Sequence, residues 1–261
     1  MWVVGDAYEA FMGRWSRPVA EVFVGGLAVP VRRRWLDVGC GTGALTDAVL
    51  AAADPTEVTG VDPSGTFVVR AATTVTDPRA RFERAEASSL PYTDGRFDAA
   101  VSGLVLNFVP EPEKAIRELV RVTVPGGTVA GYVWDYPNMA MLRYFWEAAT
   151  SLDTDAAGLN EMSKYPLCAA DQLAKLWTVG GLADVTVEPI EILTVFRSFD
   201  DYWTPFLGGQ GPGPAYVATL ADGQRSALRD LLHARLPCQP DGTIGLTARA
   251  WTVRGQRRAN I

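Results

Sequence analysis

The chain has 261 residues, of which 48% are hydrophobic, and a formal net charge of −6. This length and composition suffice for one substantial hydrophobic core, so we expect a single domain over 1–261 that carries insertions. The acidic balance argues against nucleic acid as a partner, because binding to phosphodiesters requires a clustered basic face. We interpret the arginine clusters at 32–34 and 254–258 as solvated flanks of strands.

The start of the chain and its apolar runs predict neither a leader peptide nor a membrane span. The first residues lack a basic stretch followed by a long apolar one, and no uninterrupted apolar run approaches the roughly 20 residues that cross a bilayer. We therefore expect a cytoplasmic protein. Three cysteines without a close pair, and His233 as the single histidine, predict neither a disulfide scaffold nor a metal site.

Alternating apolar segments in the first half of the chain predict an α/β fold. In chain order they are strand 34–38, helix 44–53, strand 57–61, helix 64–74, strand 81–85, strand 97–102, helix 112–122 and strand 128–135. Strands that alternate with helices form a parallel sheet with helices on both faces. We therefore predict a mostly parallel, doubly wound sheet.

Beyond residue 135 the alternation of predicted strands and helices is less regular. The later predicted elements are helix 171–180, strand 185–196 and a last strand over 243–254. Between them lie two segments, 136–170 and 199–242, of which the second begins with aromatic residues and continues into a loop rich in glycine and proline. We interpret both segments as insertions that form a cap over the substrate, together with an N-terminal lid segment at 1–30.

The first predicted strand runs directly into a glycine-rich turn. Asp37 closes the strand, and three alternating glycines, Gly39, Gly41 and Gly43, precede a helix without proline or glycine. Glycine permits positive φ and lets a ligand approach the backbone closely, while the free N–H groups of a helix start attract an anionic group. The turn therefore predicts a closely held ligand.

A second acid, Asp62, indicates which class of ligand the glycine-rich turn binds. Asp62 ends the next predicted strand, where a carboxylate can accept hydrogen bonds from both hydroxyls of a ribose. A dinucleotide-binding turn would require a further glycine at position 44 or 46, and the chain has Ala44 and Thr46 there. These residues predict a nucleoside ligand, with or without phosphate. A helix cap ahead of Pro63 is the alternative interpretation of Asp62.

The sequence Asp-Val-Gly-Cys-Gly-Thr-Gly at 37–43, with Val-Asp-Pro-Ser at 61–64, resembles the class I S-adenosylmethionine-dependent methyltransferases. Segments 85–92, 97–102 and 121–127 are similar to successive blocks of the ubiquinone/menaquinone-biosynthesis-type branch, methyltransferase type 11. The resemblance implies a Rossmann-like fold with a mostly parallel seven-stranded sheet whose last strand is antiparallel. It also implies S-adenosyl-L-methionine as the cofactor.

The same resemblance implies roles for the acids. Asp37 would order the glycine turn beside the methionine moiety, Asp62 would bind the ribose diol, and Glu86 would reach the adenine amino group. The branch more often has Gly-Asp-Ala where this chain has Ala-Glu-Ala, so a solvated loop carboxylate is the alternative for Glu86. The implied cofactor-binding residues are Asp37, Gly39, Cys40, Gly41, Thr42, Gly43, Asp62, Pro63, Ser64, Glu86, Ala87 and Ser102.

Aromatic residues are the candidates for the wall of the acceptor pocket, because aromatic faces favour both an apolar substrate and a sulfonium cation. Ordinary core packing is the alternative for each of them. They are Tyr8, Phe11, Trp15, Phe108, Trp134, Trp203 and Phe206. The sequence identifies no catalytic base: we expect His233 to be a surface or packing residue, and Tyr8 and Asp135 are weaker candidates.

The leading hypothesis is an enzyme that moves a methyl group from S-adenosyl-L-methionine to an O, N or C atom of a small-molecule acceptor. In-line displacement of this kind depends mainly on positioning and desolvation. Two alternatives stay open, namely a non-catalytic protein that binds S-adenosylmethionine or a nucleoside, and a nicotinamide-dependent oxidoreductase. The sequence specifies neither the acceptor nor the oligomeric state.

Overall fold

The computed structural model describes residues 13–160, 165–208 and 211–259. The chain divides into two compact units, each assembled from separate stretches. The sheet unit contains Ser16–Trp134, Pro166–Ile190 and Ala250–Ile261, and the insertion unit contains Met1–Trp15, Asp135–Tyr165 and Glu191–Arg249. The single-domain organisation expected from the sequence stays a prediction.

The regular elements follow the predicted alternation. In chain order they are α1 Arg14–Leu27, β1 Arg34–Val38, α2 Ala44–Ala52, β2 Glu57–Asp62, α3 Gly65–Thr74, β3 Ala80–Arg84, β4 Phe97–Gly103, α4 Pro112–Val122, β5 Thr123–Trp134, α5 Ala140–Leu152, α6 Ala170–Val179, β6 Leu182–Phe196, α7 Phe199–Trp203, α8 Pro212–Thr219, α9 Asp222–Arg235 and β7 Ile244–Arg257. Most of the predicted elements agree with these bounds within a few residues. Over the described residues, no helix combines the length and apolar character needed to cross a membrane.

The strands form one seven-stranded sheet in the order β3-β2-β1-β4-β5-β7-β6. β1 lies between β2 and β4 and pairs with both in parallel, so that Asp37 is opposite Gly60 on one side and Val101 on the other. β5 continues the parallel set beside β4, and β7 pairs with β5 in the antiparallel direction. The observed topology confirms the predicted mostly parallel α/β fold. Ligands of such open sheets bind beyond the carboxyl ends of the strands.

Burial on both faces explains why the central strands are almost continuously apolar. Trp35 and Leu36 in β1 and Ala100 in β4 are fully buried. α4 begins with Pro112, whose missing N–H would have no intrahelical partner at that position anyway. The helix then buries an apolar stripe that includes Ile116. The apolar side of α4 is therefore part of the hydrophobic core.

β5 begins earlier than the predicted strand at 128–135. Thr123 already pairs with Phe97, and after a shift of register Thr128 pairs with Ala99. Pro125-Gly126-Gly127 therefore forms an irregularity inside the strand rather than a turn ahead of it. Proline and glycine favour a turn locally, but pairing with β4 keeps the chain extended on both sides of them.

α1 lies within the segment predicted as an N-terminal lid. From residue 16 onward this helix belongs to the sheet unit, where Val19 and Phe23 are buried. The Phe23 ring lies 4.6 Å from the ring of Tyr132 in β5. This part of the segment is therefore core, and the lid role of 1–30 stays a prediction.

Trp177 of α6 fixes this helix to the sheet. Its side chain is fully buried and its indole N–H donates to the carbonyl of Val129 in β5 over 3.0 Å. A Cβ on Gly131 would lie only 3.3 Å from Cη2 of the indole ring, so the lack of a side chain at this residue of β5 makes room for the ring. Shape and hydrogen bonding together specify a tryptophan at this position.

We expect Trp177→Phe to lower the free energy of unfolding by about 1–3 kcal/mol, because a buried carbonyl loses its donor and the smaller ring leaves a void. Urea denaturation of wild type and variant measures the change. Val179→Ala is the control on the same helix, since Val179 is 65% exposed and should change stability by less than about 0.5 kcal/mol. Equal stability of wild type and Trp177→Phe would contradict the proposed anchoring.

Candidate functional site

The candidate site begins where β1 and β2 end side by side. The N–H groups of Gly39 and Cys40, just after β1, both donate to the carbonyl of Val61 in β2, over 2.7 and 2.9 Å. Gly43 N–H then donates to the carbonyl of Cys40 over 2.8 Å and closes the turn. The parallel pairing of two strands therefore positions the whole glycine-rich turn.

Asp62 holds this turn from the end of β2. Asp62 as a whole residue is 7% exposed. Its Oδ2 accepts from Gly41 N–H over 3.1 Å, and its Oδ1 accepts from Ser64 N–H over 2.9 Å. Ser64, rather than Asp62, caps α3, because its hydroxyl accepts from Phe67 N–H over 3.4 Å. The cap interpretation of Asp62 is therefore wrong. Each carboxylate oxygen retains acceptor capacity for a ligand hydroxyl.

Asp37 is fully buried beneath the turn. Its Oδ2 accepts from the Thr46 hydroxyl over 2.7 Å, whereas its Oδ1 is buried and has no hydrogen-bond partner within the described parts of the chain. Burial raises the pKa of Asp37 to about 7, against the lowering effect of the Thr46 hydrogen bond and with a further increase from the charge of Asp62. A buried acceptor without a donor is costly, so a donor or cation supplied by a ligand would stabilise this carboxylate.

The glycines of the turn are required by geometry. Gly39 has φ 77°, and a Cβ at this position would lie 2.5 Å from Cγ2 of Val105. Gly43 has φ 92° and is the N-cap of α2, where no side chain caps the helix. The first N–H groups of α2 therefore receive no side-chain cap, as in helix starts that bind anionic groups.

Ser102 and Cys40 are two further predicted site residues, and both side chains are buried. The Ser102 hydroxyl is buried and donates to the carbonyl of Val38 over 2.8 Å, which fixes the last residue of β1 against β4. The Cys40 thiol is also buried, and burial raises the pKa of Cys40 above its usual range, so this side chain stays neutral. Whether Ser102 or Cys40 also touches the cofactor stays a prediction.

Glu86 lies in the loop after β3. Its side chain is exposed, and its charge contributes to the raised pKa of Asp62, for which burial is the main cause. The Glu86 carbonyl accepts from Ser89 N–H over 3.0 Å, while Ala87 packs against the hydrophobic core. The carbonyl of the exposed Pro63 accepts from Arg84 Nε over 2.9 Å. The contact of Glu86 with adenine stays a prediction.

The predicted substrate-lining aromatics fall into both units. In the sheet unit, Phe108 is 44% exposed and Trp134 is buried at the end of β5. In the insertion unit, Trp15 and Trp203 are buried, and Phe206 stacks on Phe145 with 4.2 Å between ring centroids. Tyr8 and Phe11 lie outside the described residues. Core packing accounts for the buried members, and their part in substrate binding stays a prediction.

The candidate bases have structural partners in the insertion unit. The His233 ring lies 4.7 Å from the ring of Phe199 in an edge-on arrangement, as expected for a packing residue. Asp135 is buried, accepts from Asn138 Nδ2 over 2.9 Å and lies 3.8 Å from a guanidinium nitrogen of Arg249. Neither contact identifies a catalytic base.

Sequence reasoning missed two residues that shape the site. Thr46 donates to Asp37, and Val105 fills the space beside Gly39. Thr46 is fully buried although it is polar, and a threonine on the otherwise apolar side of a helix is the signal that could have identified it. Val105 carries no such signal, because its contact depends on the path of the chain after β4.

Comparison with known proteins finds a family model that matches the part of the chain that carries this site. Residues 36–131 match the model of a methyltransferase domain. Among curated proteins, the chain is similar to demethylmenaquinone methyltransferase of Staphylococcus aureus, with 34% identity over 113 residues, which are 42% of this chain and 47% of the relative. The chain spans about half the length of the curated relatives that it matches.

Solved structures share the fold over almost the whole chain. A phosphoethanolamine N-methyltransferase of Haemonchus contortus, in complex with S-adenosyl-L-methionine, matches 97% of this chain and 56% of its own, with a TM-score of 0.56 and 16% identity. The (4+2)-cyclase SpnF matches 98% of this chain and 86% of its own, with a TM-score of 0.57 and 21% identity. At these identities the likeness concerns the fold.

We expect Gly39→Ala to destabilise the protein and the turn, since its Cβ would collide with Val105 at a backbone conformation that only glycine adopts readily. Thermal unfolding should show a lower midpoint for this variant. Gly65→Ala is the matched control, because a Cβ there has no heavy atom within 4 Å and the residue starts a helix. If both variants kept the wild-type midpoint, the steric argument for Gly39 would be refuted.

The raised pKa of Asp37 predicts a pH dependence of stability. Because the folded state holds this proton more tightly than the unfolded chain, the stabilising contribution is complete below about pH 4 and is lost as the pH rises through about 7. Urea denaturation at several pH values between these limits measures the decline. In Asp37→Asn the decline should be smaller, and an unchanged decline would show that other groups cause it.

Proposed function

We propose that this chain, whose residues 36–131 match the model of a methyltransferase domain, is a class I S-adenosylmethionine-dependent methyltransferase that binds S-adenosyl-L-methionine and transfers its methyl group to a small-molecule acceptor. The proposal covers transfer to an O, N or C atom of the acceptor. The observation that carries it is the arrangement of Asp62, the glycine turn and Asp37 at the ends of β1 and β2.

Asp62 is suited to a ribose. Two backbone N–H groups, from Gly41 and Ser64, fix the orientation of its carboxylate before any ligand arrives. Both oxygens still have a free lone pair, so the carboxylate can accept from two neighbouring hydroxyls without rearranging. Preorganisation of this kind lowers the entropic cost of binding.

Asp37 and the turn are suited to the amino-acid part of the cofactor. The unpartnered, buried Oδ1 of Asp37 fits an ammonium group or another donor, and Asp62 adds a second negative charge nearby. The open helix start after Gly43 fits a carboxylate. A ligand with a ribose, an ammonium and a carboxylate meets all three requirements, as S-adenosyl-L-methionine does.

When bound, S-adenosyl-L-methionine supplies an electrophilic methyl group on a sulfonium that is already activated for displacement. The residues of the chain then need to hold the reacting groups in line and exclude water, which can supply several kcal/mol of the lowering of the barrier. A general base is required only for an acceptor that must lose a proton. We assign no residue to that role.

The alternative of binding without methyl transfer is favoured by one finding: a cyclase has the same fold over most of its length. The fold is therefore compatible with other chemistry, and binding and transfer have to be tested separately. The family match of residues 36–131 favours methyl transfer over a nicotinamide-dependent reaction.

The binding test is calorimetry with S-adenosylhomocysteine, the demethylated form of the cofactor. We expect Asp62→Ala to weaken binding by about 1.5–3 kcal/mol for each hydrogen bond lost to the carboxylate, or at least about tenfold in Kd. Asp222→Ala is the matched control, because the Asp222 side chain is 99% exposed and lies in the insertion unit. Equal affinity of Asp62→Ala and wild type would refute the site.

The transfer test supplies the intact protein with S-adenosyl-L-methionine that carries a labelled methyl group and with panels of small alcohols, amines and activated carbon acids. We expect label in a product for the wild type and for Asp222→Ala, and much less for Asp62→Ala at limiting cofactor. Binding without label in any product would favour the non-catalytic alternative.

A further inference from the structure

Thr46 lies in the first turn of α2 and is fully buried. Its hydroxyl donates to Oδ2 of Asp37 over 2.7 Å, and this hydrogen bond joins the helix after the glycine turn to the strand before it. The backbone N–H of Thr46 acts on the same carboxylate, since the first N–H groups of a helix have no intrahelical acceptor. A single residue therefore supplies Asp37 with two donors.

Other threonines in helices use their hydroxyls differently. Thr73, Thr74 and Thr178 are exposed, and each donates its hydroxyl to the carbonyl four residues earlier in its own helix, over 2.7 to 2.9 Å. A threonine within a helix commonly makes this local bond. Thr46 instead donates to a side chain of another element, and a buried hydroxyl is costly without such a partner. The hydrogen bond to Asp37 accounts for a polar residue at this position.

The charge of Asp37 depends on opposing influences. Burial is the main cause that raises its pKa to about 7, and the charge of Asp62 raises it further, whereas the hydroxyl and the backbone N–H of Thr46 lower it. The thiol of Cys40 adds no charge, because burial raises the pKa of Cys40. Asp47, next along α2, is 57% exposed and has an ion pair of its own. The influences that favour a charged Asp37 thus both come from Thr46.

We propose that Thr46 is a positioning residue of the proposed cofactor site. By donating to Oδ2 it fixes the orientation of the Asp37 carboxylate and favours its charged form, which attracts the positively charged part of the cofactor. Thr46 acts through Asp37 and does not itself touch the cofactor. This role rests on the proposed function, because Asp37 belongs to the same site.

The first test is calorimetry with S-adenosylhomocysteine from about pH 6 to pH 9, the range around the titration of Asp37. Thr46→Val keeps the shape of the side chain and removes the donor, so Asp37 should become charged only at a higher pH. We expect Thr46→Val to bind about tenfold or more weakly than wild type at the acidic end, because a hydrogen bond to a charged group is lost. The difference should shrink towards the alkaline end. Thr46→Ser, which keeps the hydroxyl, should follow wild type.

The pH profile separates positioning from a purely structural role of Thr46. A loss of affinity of equal size at every pH would overturn the proposal, because it would show that the titration of Asp37 is not involved. Equal affinity of Thr46→Val and wild type would overturn it as well. Thr178→Val is the matched control, since it removes the hydroxyl of an exposed helical threonine and should leave the affinity unchanged at every pH.

The titration of Asp37 gives a second readout that needs no ligand. Carbon NMR of the intact protein with labelled aspartate carboxyl groups follows each acid, and the signal of Asp37 is the one absent from Asp37→Asn. Its midpoint should rise in Thr46→Val and also in Thr46→Ala, which removes the same donor and replaces Thr46→Val if that variant does not fold. A midpoint equal to that of wild type in a folded variant would overturn the proposal.

The two proposals for this site fail in distinguishable ways. If wild type did not bind S-adenosylhomocysteine, the proposed function would be refuted and the cofactor role of Thr46 with it, whatever the titration of Asp37. If wild type binds and Thr46→Val binds equally well, only the role of Thr46 is refuted.

Discussion

The parallel pairing of β1 with β2 is the constraint on which the candidate site depends. Both strands end at the same edge of the sheet, and the carbonyl of Val61 accepts from the first two N–H groups of the glycine turn. Asp37 and Asp62 are thereby brought to the same turn, although they are 25 residues apart in the sequence. A shift of this pairing by one residue would reverse the faces of the side chains and separate the two acids from the turn.

Burial of the two acids sets the electrostatics of the site. Desolvation is the main reason why the pKa values of Asp37 and Asp62 are both raised. Two buried acids lower the stability of the folded protein when both are charged, because each is desolvated and each repels the other. A ligand with a positive charge would offset both effects. The turn is also restricted sterically, because Val105 leaves no room for a side chain at position 39.

Buried tryptophans have different hydrogen-bonding surroundings in the two units. In the sheet unit, the indole of Trp177 anchors a helix and has its N–H satisfied by a backbone carbonyl. In the insertion unit, the indole N–H of Trp15 is buried and has no hydrogen-bond partner among the residues described. Insertions of this kind vary in sequence more freely than the sheet, since loops and added helices tolerate change. Features that distinguish this chain from proteins with the same fold are therefore expected in the insertion unit.

The sequence by itself determined the fold class, the order of the central elements and the two acids with their glycine turn. Those signals are local: apolar runs define strands, a glycine-rich turn follows a strand, and an acid marks the end of the next one. Only the tertiary structure decided that Ser102 supports the end of β1, that Thr46 binds Asp37, and that the Pro-Gly-Gly of β5 lies inside a strand. Each of these depends on which groups from distant parts of the chain meet, and hydrogen-bond satisfaction in a folded interior is not encoded by neighbouring residues alone.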